Sequence, residues 1–416
     1  MLICMPDSRF DHIVIGSGAL GSAAAYWLSR KTENARVLVC EQFYAGHPWG
    51  SSDDHSRIIR HSYHSPVYTA LTPSAYDTWA EVEEHSGTQL VLRTGGLDLA
   101  CEDTPGYALL ETYRRSLEAA GIPYDRVEAD AIRARWPQWT VTPDVRGIFQ
   151  ADGGLVDIRR ATAAHVRLAV EQGVTVLSDC QVHEVRSLRN GVEILTSAGV
   201  FSAGSLTVCA GSWAGPLLTS LGCSFTITLT QEQVQYFAAP NLDLFRPDRF
   251  PIWVWHGDQD FYGFPVYGEP AVKAARDMTG WVVTPETRSF EPSPAEVEYV
   301  RAFLRRRLPK AVGPVHLAKT CVYDLPRDRD LVIGPVPGHP RVHIAIGAGH
   351  AGKFASLIGR ILADLATDGR TSYPISAFRA DRPGLAPTAP QRYRLGGSAA
   401  ASAVAADAAT RALEAT

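Results

Sequence analysis

From Phe10 the chain runs FDHIVIGSGALGSAAAYWLSRKTENARVLVCEQF. An apolar strand from His12 to Ile15 meets glycines at 16, 18 and 21, then a helix of small residues and a second apolar strand from Val37 to Cys40. This order predicts a βαβ unit. The segment Thr72 to Ser86 begins at a plausible cap and carries apolar residues at helical spacing, and Tyr107 to Ala120 reads as a further helix. Between Gln181 and Trp213 polar and apolar residues alternate, with turn signals at Asn190-Gly191 and Ala203-Gly204, which predicts a small antiparallel sheet. A second β-rich stretch covers Phe225 to Tyr236 and Trp253 to Tyr267, followed by a helix in Pro294 to Leu308 and a strand from Val342 to Ile346. That strand leads into GAGHAGKFASLIGRILADLA, which repeats the strand, glycine turn and helix of the N-terminus. Two such segments can converge on one cofactor, because helix N-termini and glycine turns both present free backbone N–H groups. After Pro383 the composition shifts to Pro, Gly, Ser and Ala, the pattern of a mobile tail over 383–416.

A chain of 416 residues is long for one core, so two domains or an interleaved pair are expected. With 45% hydrophobic and 20% charged residues it should pack as a globular protein. The formal net charge of −4 favours neither a nucleic-acid nor an anionic-membrane partner, which leaves a small molecule as the expected ligand. Seven scattered cysteines, with no CxxC pair and no His/Cys cluster, support neither a disulfide framework nor a zinc site, and no metal is expected. The opening residues MLICMPDSRFD lack a basic start followed by an apolar core, and no run approaches the ~18 apolar residues of a membrane span. A cytoplasmic protein, monomeric or weakly oligomeric, is the expectation.

Gly16, Gly18 and Gly21 follow a strand and open a helix, as dinucleotide binding requires: a tight turn, close approach of a pyrophosphate, and helix–strand packing. Glu41 closes the second strand about 25 residues beyond Gly16, where its carboxylate can accept from ribose hydroxyls. This fingerprint serves FAD and NAD alike. Further on, GSSDDHSRIIRHSY starts at Gly50 and carries Arg57 and Arg60 in what reads as a short helix or turn.

That stretch closely resembles monomeric sarcosine oxidase, N-methyltryptophan oxidase and pipecolate oxidase, flavoproteins of the D-amino-acid-oxidase-like superfamily, whose pattern is GSS or GSH followed by RIIR. Further patches carry the resemblance from Phe10 to Arg382: RTGGLDLA at Arg93, ADGGLVDI at Ala151, VCAGSWAGPLL at Val208, FYGFPVYG at Phe261, TCVYDLPRDRDLVIGPVPGHP at Thr320 and GAGHAGKFA at Gly347. The resemblance implies an α/β fold in which an FAD-binding Rossmann-like domain (8–80, 145–220 and 325–382) is interleaved with a mixed-sheet substrate domain (81–144 and 221–324). It implies FAD contacts at Gly16, Gly18, Gly21, Glu41, Gln42, Ser51, Ser52, Ser56, Arg57, Val182, Ala210, Gly211, Trp213, Cys321, Gly349, His350, Gly352 and Lys353, with Cys321 in thioether linkage to the flavin. Arg60 and Lys353 are expected to grip a substrate carboxylate, Arg57 to sit against the flavin ring, and Lys273 to promote reaction with oxygen. Tyr262 and Tyr323 match tyrosines packed around the substrate, and His350 is expected to serve the flavin through backbone contacts.

The implied activity is oxidation of a secondary-amine amino acid, N-alkyl or cyclic, to its imine, with O2 reduced to H2O2. Asp277 stands where the sarcosine and methyltryptophan oxidases have a histidine, and Gly352 where they have phenylalanine. Sarcosine is therefore not the expected best substrate; something bulkier or cyclic is, with Asp277 drawing an ammonium or donor. Trp253, Trp255 and Trp281 are candidates for lining such a site. A deglycating fructosyl-amino-acid oxidase, a biosynthetic tailoring amine oxidase, a dehydrogenase using another acceptor, a flavin-binding protein without turnover and an NAD-dependent dehydrogenase remain as alternatives.

Overall fold

The strand Arg9–Ile15 is the hub of an eight-stranded sheet in the computed structural model, which describes residues 8–223 and 225–393. It pairs in parallel with Val37–Cys40 on one side and with Gly199–Val208 on the other. Val37–Cys40 continues to Thr175–Leu177, and Gly199–Val208 also pairs in parallel with His339–Ile346. Alternate residues feed two cores. Val14, Val37 and Val39 face the helices Ala19–Lys31, Ile158–Glu171 and Ala355–Asp368, while Ile13, Ile15, Leu38 and Cys40 face the opposite side with Ala214–Ser220. Burial on both faces explains why these strands read as continuous apolar runs.

A nine-stranded, mostly antiparallel sheet forms the second layer system. Its long strands Ile227–Phe237 and Val315–Pro326 pair along nearly their whole length, and Gly96–Cys101 joins Ile252–His256 in parallel. Helix Pro294–Arg307 covers it through Phe303, whose ring stacks on Phe261 at 4.0 Å. A three-stranded sheet, with Gly154–Val156 between Arg57–Ile59 and Val91–Arg93, lies apart from both.

Several sequence-based expectations are corrected. Arg57 lies in the short strand Arg57–Ile59, held by pairing to Gly154–Val156, and Arg60 directly follows it, so neither is in a helix. The helix expected from Thr72 begins at Pro66, whose ring is pre-set for the first helical position. Ala203-Gly204 is not a turn; the strand Gly199–Val208 runs through it, and the antiparallel strands before it extend the parallel sheet rather than forming a separate one. Val145–Gln150, grouped above with the Rossmann-like segments, hydrogen-bonds into the larger sheet. Trp253 and Trp255 are core residues packed against Trp139 and Phe303, and Trp281 does not line the main cavity. Residues 383–393, expected to begin the tail, are packed: Leu385 and Tyr393 are buried and the Arg392 N–H donates to the Arg327 carbonyl at 2.8 Å. The rest of that tail lies outside the described residues. Among those described, no helix is long and apolar enough to cross a membrane, and no group of three or more His, Cys, Asp or Glu side chains is placed to hold a metal.

The first and last βα units meet through helices Ala19–Lys31 and Ala355–Asp368. A Cβ on Gly359 would lie 2.5 Å from the Ala23 carbonyl carbon, whereas one on the helical Gly215 would meet nothing within 4 Å. Gly359→Ala should therefore destabilise the protein by about 1–3 kcal/mol, and Gly215→Ala should be neutral or stabilising. Thermal unfolding of both variants checks this; equal melting temperatures would mean that the helices are not in close packing there.

Candidate active site

Gly16 follows the strand Arg9–Ile15 with φ +92°, a conformation that suits glycine, and a Cβ there would lie 2.5 Å from the Cys209 carbonyl oxygen. Gly21 presses the helix onto this turn, since its Cβ would strike the Gly16 carbonyl. The helix Ala19–Lys31 has no side-chain cap from its own N-cap residue, Gly18; instead Ser52 Oγ accepts from the Ala19 N–H at 2.8 Å. Glu41 accepts from the Ser17 N–H at 2.8 Å and the Phe43 N–H at 3.0 Å, with His47 Nε2 at 3.3 Å. Burial alone would push the Glu41 carboxyl up, but the His47 ring and these amides hold it below its ordinary value. A bare glycine turn at a helix N-terminus, beside an ionised acid, fits the pyrophosphate and ribose of a dinucleotide.

One cavity of about 1120 Å³ runs from this turn to the larger sheet. The residues expected to contact cofactor or substrate line it except Gly21, which sits behind Gly16, and the three tryptophans Trp253, Trp255 and Trp281. Gln42, Val182, Ala210, Gly211 and Trp213 flank the Glu41 end. In the middle, Arg57 ties the preceding loop together by donating to the carbonyls of Ser51 at 2.7 Å, Asp53 at 2.6 Å and Ser56 at 2.9 Å. A Cβ on Gly352 would lie 2.9 Å from Arg57 Cγ, so a larger residue there would push on the arginine.

Lys273 is buried on the strand Val272–Arg276 and donates to Asp54 Oδ2 at 2.5 Å and to the Ser56 carbonyl at 3.1 Å. Asp54 also accepts from Tyr236 at 2.5 Å. Burial lowers the Lys273 pKa, Asp54 works against that and Arg57 adds to it. Burial likewise pushes the Cys321 thiol up to about 11, with Arg57 and Lys273 pulling the other way. Cys321 is on the strand Val315–Pro326 opposite Glu232, and Ser51 Oγ donates to the neighbouring Val322 carbonyl at 2.6 Å.

At the far end the charges are paired, with one exception. Arg60 pairs with Asp98, which also accepts from Ser62 Oγ at 2.6 Å and faces His256 Nε2 at 3.0 Å. Asp277 is not the free carboxylate expected above: Arg329 reaches it at 2.5 Å and Tyr323 donates to it at 3.3 Å. Tyr262 lines the same wall, and burial raises its hydroxyl pKa well above 10.0. Lys353 has only the Tyr63 hydroxyl, at 2.7 Å, and no carboxylate within ion-pair distance among the described residues. Burial, together with Arg60 and Arg329, lowers its pKa to about 7, with Asp277 opposing.

The turn 347–350 is fixed from behind, because Asp324 accepts from the N–H groups of Gly347 at 3.0 Å and Gly349 at 3.3 Å. His350 Nε2 meets the Arg329 carbonyl at 3.1 Å, and burial keeps the ring neutral, so its imidazole serves structure. The sequence reading missed Asp54, Asp98, Tyr63, Asp324 and Arg329. All five stand inside stretches quoted for their neighbours, and the signal for the first four was a charged or phenolic side chain beside residues already singled out. Arg329, in LPRDRD, had no distinguishing local signal.

Residues 11–365 match the DAO family, described as FAD dependent oxidoreductase. A monomeric sarcosine oxidase of Streptomyces avermitilis is 36% identical over 390 residues, covering 91% of this chain and 99% of that protein. An N-methyl-L-tryptophan oxidase of Escherichia coli is 31% identical over 382 residues, covering 90% and 99%. Among solved structures, NikD, an unusual amino acid oxidase essential for nikkomycin biosynthesis, superposes with a TM-score of 0.79 at 25% identity over 89% of this chain and 97% of that one. The fructosamine oxidase Amadoriase II of Aspergillus fumigatus, at 20% identity, shares the fold with a TM-score of 0.77 over 94% of each chain. The match reaches from the first strand of the sheet to its last helix and takes in the glycine cradle that a dinucleotide fits, so the chain belongs to the family of FAD dependent oxidoreductases.

Proposed function

We propose that the enzyme oxidises the C–N bond of an N-alkyl or cyclic α-amino acid to the imine, reduces O2 to H2O2, and carries its FAD on Cys321. Lys353 is the observation that carries this reading. A half-buried ammonium left without a carboxylate among the described residues, beside Arg60 and Arg329 and in the same cavity as Cys321 and Lys273, is a place for a substrate carboxylate. FAD, when bound, supplies the two-electron acceptor. The chain does the rest. Arg60 and Lys353 orient the amino acid by its carboxylate, and Tyr262 and Tyr323 wall the reacting end. The positive charges of Arg57 and Lys273 disfavour an ammonium near them, so the amine is held neutral for oxidation. Lys273, fixed by Asp54 and Ser56, offers a preorganised cation to the negative charge that develops as oxygen is reduced. Asp277, compensated by Arg329, adds little net charge. The enzyme works in the cytoplasm, as a monomer or weak oligomer.

The wall of His64, Asp260, Asp277 and Arg329 supports a substrate larger than sarcosine, since it offers both donors and acceptors beyond the carboxylate site. The same wall favours one second reading, a deglycating oxidase whose substrate brings sugar hydroxyls to those groups.

Three measurements test the proposal. Acid precipitation should leave the native pellet yellow and the Cys321→Ala pellet colourless; a colourless native pellet would show that the flavin is not covalently held. A simple carboxylate inhibitor should bind with uptake of a proton above pH 7, because its charge raises the pKa of Lys353. Its Kd should therefore weaken up to about tenfold per pH unit above 7, and Lys353→Met should flatten that slope while weakening binding below pH 7 about 10- to 100-fold. A slope unchanged in the variant would move the carboxylate elsewhere. In a peroxide-release screen, kcat/KM for pipecolate, proline or larger N-alkyl amino acids should exceed that for sarcosine, and the reverse order would refute the assignment of substrate size.

A further inference from the structure

Seven scattered cysteines predict no disulfide framework, yet the fold brings two of them together. Cys40 ends the strand Val37–Cys40, and Cys180 lies three residues beyond its parallel neighbour Thr175–Leu177. The backbones are locked side by side, since Cys40 pairs with Leu177 and the Cys180 N–H donates to the Glu41 carbonyl at 2.8 Å. The two side chains are buried as neighbours in the same apolar core, and both residues line the cavity beside Glu41. The Cys180 sulfur also faces the Thr196 hydroxyl and the Ala198 amide. Contact with Cys40 draws the Cys180 thiol below its ordinary value despite burial, while the same contact and burial drive Cys40 upward. A thiol that ionises readily, set against one that does not, is the arrangement of a nucleophilic cysteine with its resolving partner. Cys101, Cys209, Cys223 and Cys321 have no such thiol neighbour.

We propose that Cys40 and Cys180 are a peroxide-oxidised modification site, closing to an intramolecular disulfide at the Glu41 end of the cavity. The Cys180 thiolate attacks one oxygen of hydrogen peroxide, the O–O bond breaks, and the departing hydroxide leaves as water with the proton that Cys180 gave up. The Cys40 sulfur then attacks the Cys180 sulfur of the resulting sulfenic acid; the S–S bond forms, the S–O bond breaks, and a second water leaves with the Cys40 proton. Two thiols lose two protons and two electrons, and one peroxide is reduced to two waters. The proposed amine oxidation would supply the peroxide, so oxidation would fall on the molecules that turn over most.

The test adds peroxide from outside, so it fails or succeeds independently of the substrate assignment. The holoenzyme is treated with hydrogen peroxide, quenched with iodoacetamide in denaturant and mapped by mass spectrometry without reductant. The expected result is one linked peptide pair containing Cys40 and Cys180, two hydrogens lighter than the separate thiols and released by dithiothreitol. In Cys40→Ser the sulfenic acid should persist on Cys180 and be tagged by dimedone, while in Cys180→Ser the thiol of Cys40 should remain alkylable. Full alkylation of both native cysteines after peroxide, in protein that keeps its visible flavin spectrum, would overturn the proposal. So would conversion of Cys180 to sulfinic acid with Cys40 still free.

Discussion

A buried ammonium at Lys273 persists because Asp54 stands 2.5 Å from it. Taking the lysine charge out of water costs several kcal/mol, and removing either partner of such a pair typically costs about 3–5 kcal/mol. The pair also joins two parts of the fold. Asp54 belongs to the loop after Gly50, held in a left-handed conformation at φ +83°, and Lys273 belongs to the larger sheet. Tyr236 binds the other carboxylate oxygen, and the adjacent Asp53 is engaged by Arg159 and Lys319. The loop that shapes the middle of the cavity is thus pinned by charge rather than by apolar packing, and Arg57, which donates to its carbonyls, takes its position from the same anchor.

The substrate end follows a complementary rule. Arg60 and Arg329 are each neutralised by an aspartate, so their guanidinium planes are held in place before any ligand arrives. Of the three cations, Lys353 is the one with no carboxylate partner among the described residues, and its backbone is fixed by the Trp79 indole, which donates to its carbonyl at 2.7 Å. In the reading proposed above, selectivity for a carboxylate would rest on this imbalance between satisfied and unsatisfied charge, more than on the number of basic groups present.

The Rossmann-like unit was legible because its signals are local: Gly16, Gly18 and Gly21 fall at fixed spacing between apolar strands, and Glu41 closes the second. The meeting of Arg60, Lys273, Cys321 and Lys353 in one cavity was legible only through resemblance, since nothing in spacing alone brings together residues so far apart. What could not be read was the compensation between charges. Asp277 looked like a free carboxylate because Arg329, which neutralises it, lies 52 residues away and approaches through tertiary folding. Arg57 read as part of a short helix or turn because its strand is three residues long and takes its geometry from Gly154–Val156, nearly a hundred positions on. Trp253 and Trp255 could be read either as packing or as lining, for want of any local sign that Phe303 would cover them.

The close seam between Ala19–Lys31 and Ala355–Asp368 also bears on how the enzyme is made. The glycine cradle leaves the ribosome more than 300 residues before the turn 347–353 that completes its cavity. At about 5–20 residues per second the two halves are separated by roughly tens of seconds of translation. The nascent βα unit spends that interval with the helix face that Ala355–Asp368 will cover still open, so the cavity cannot close around a dinucleotide before that turn is made, and chaperone demand should fall on this half-covered intermediate.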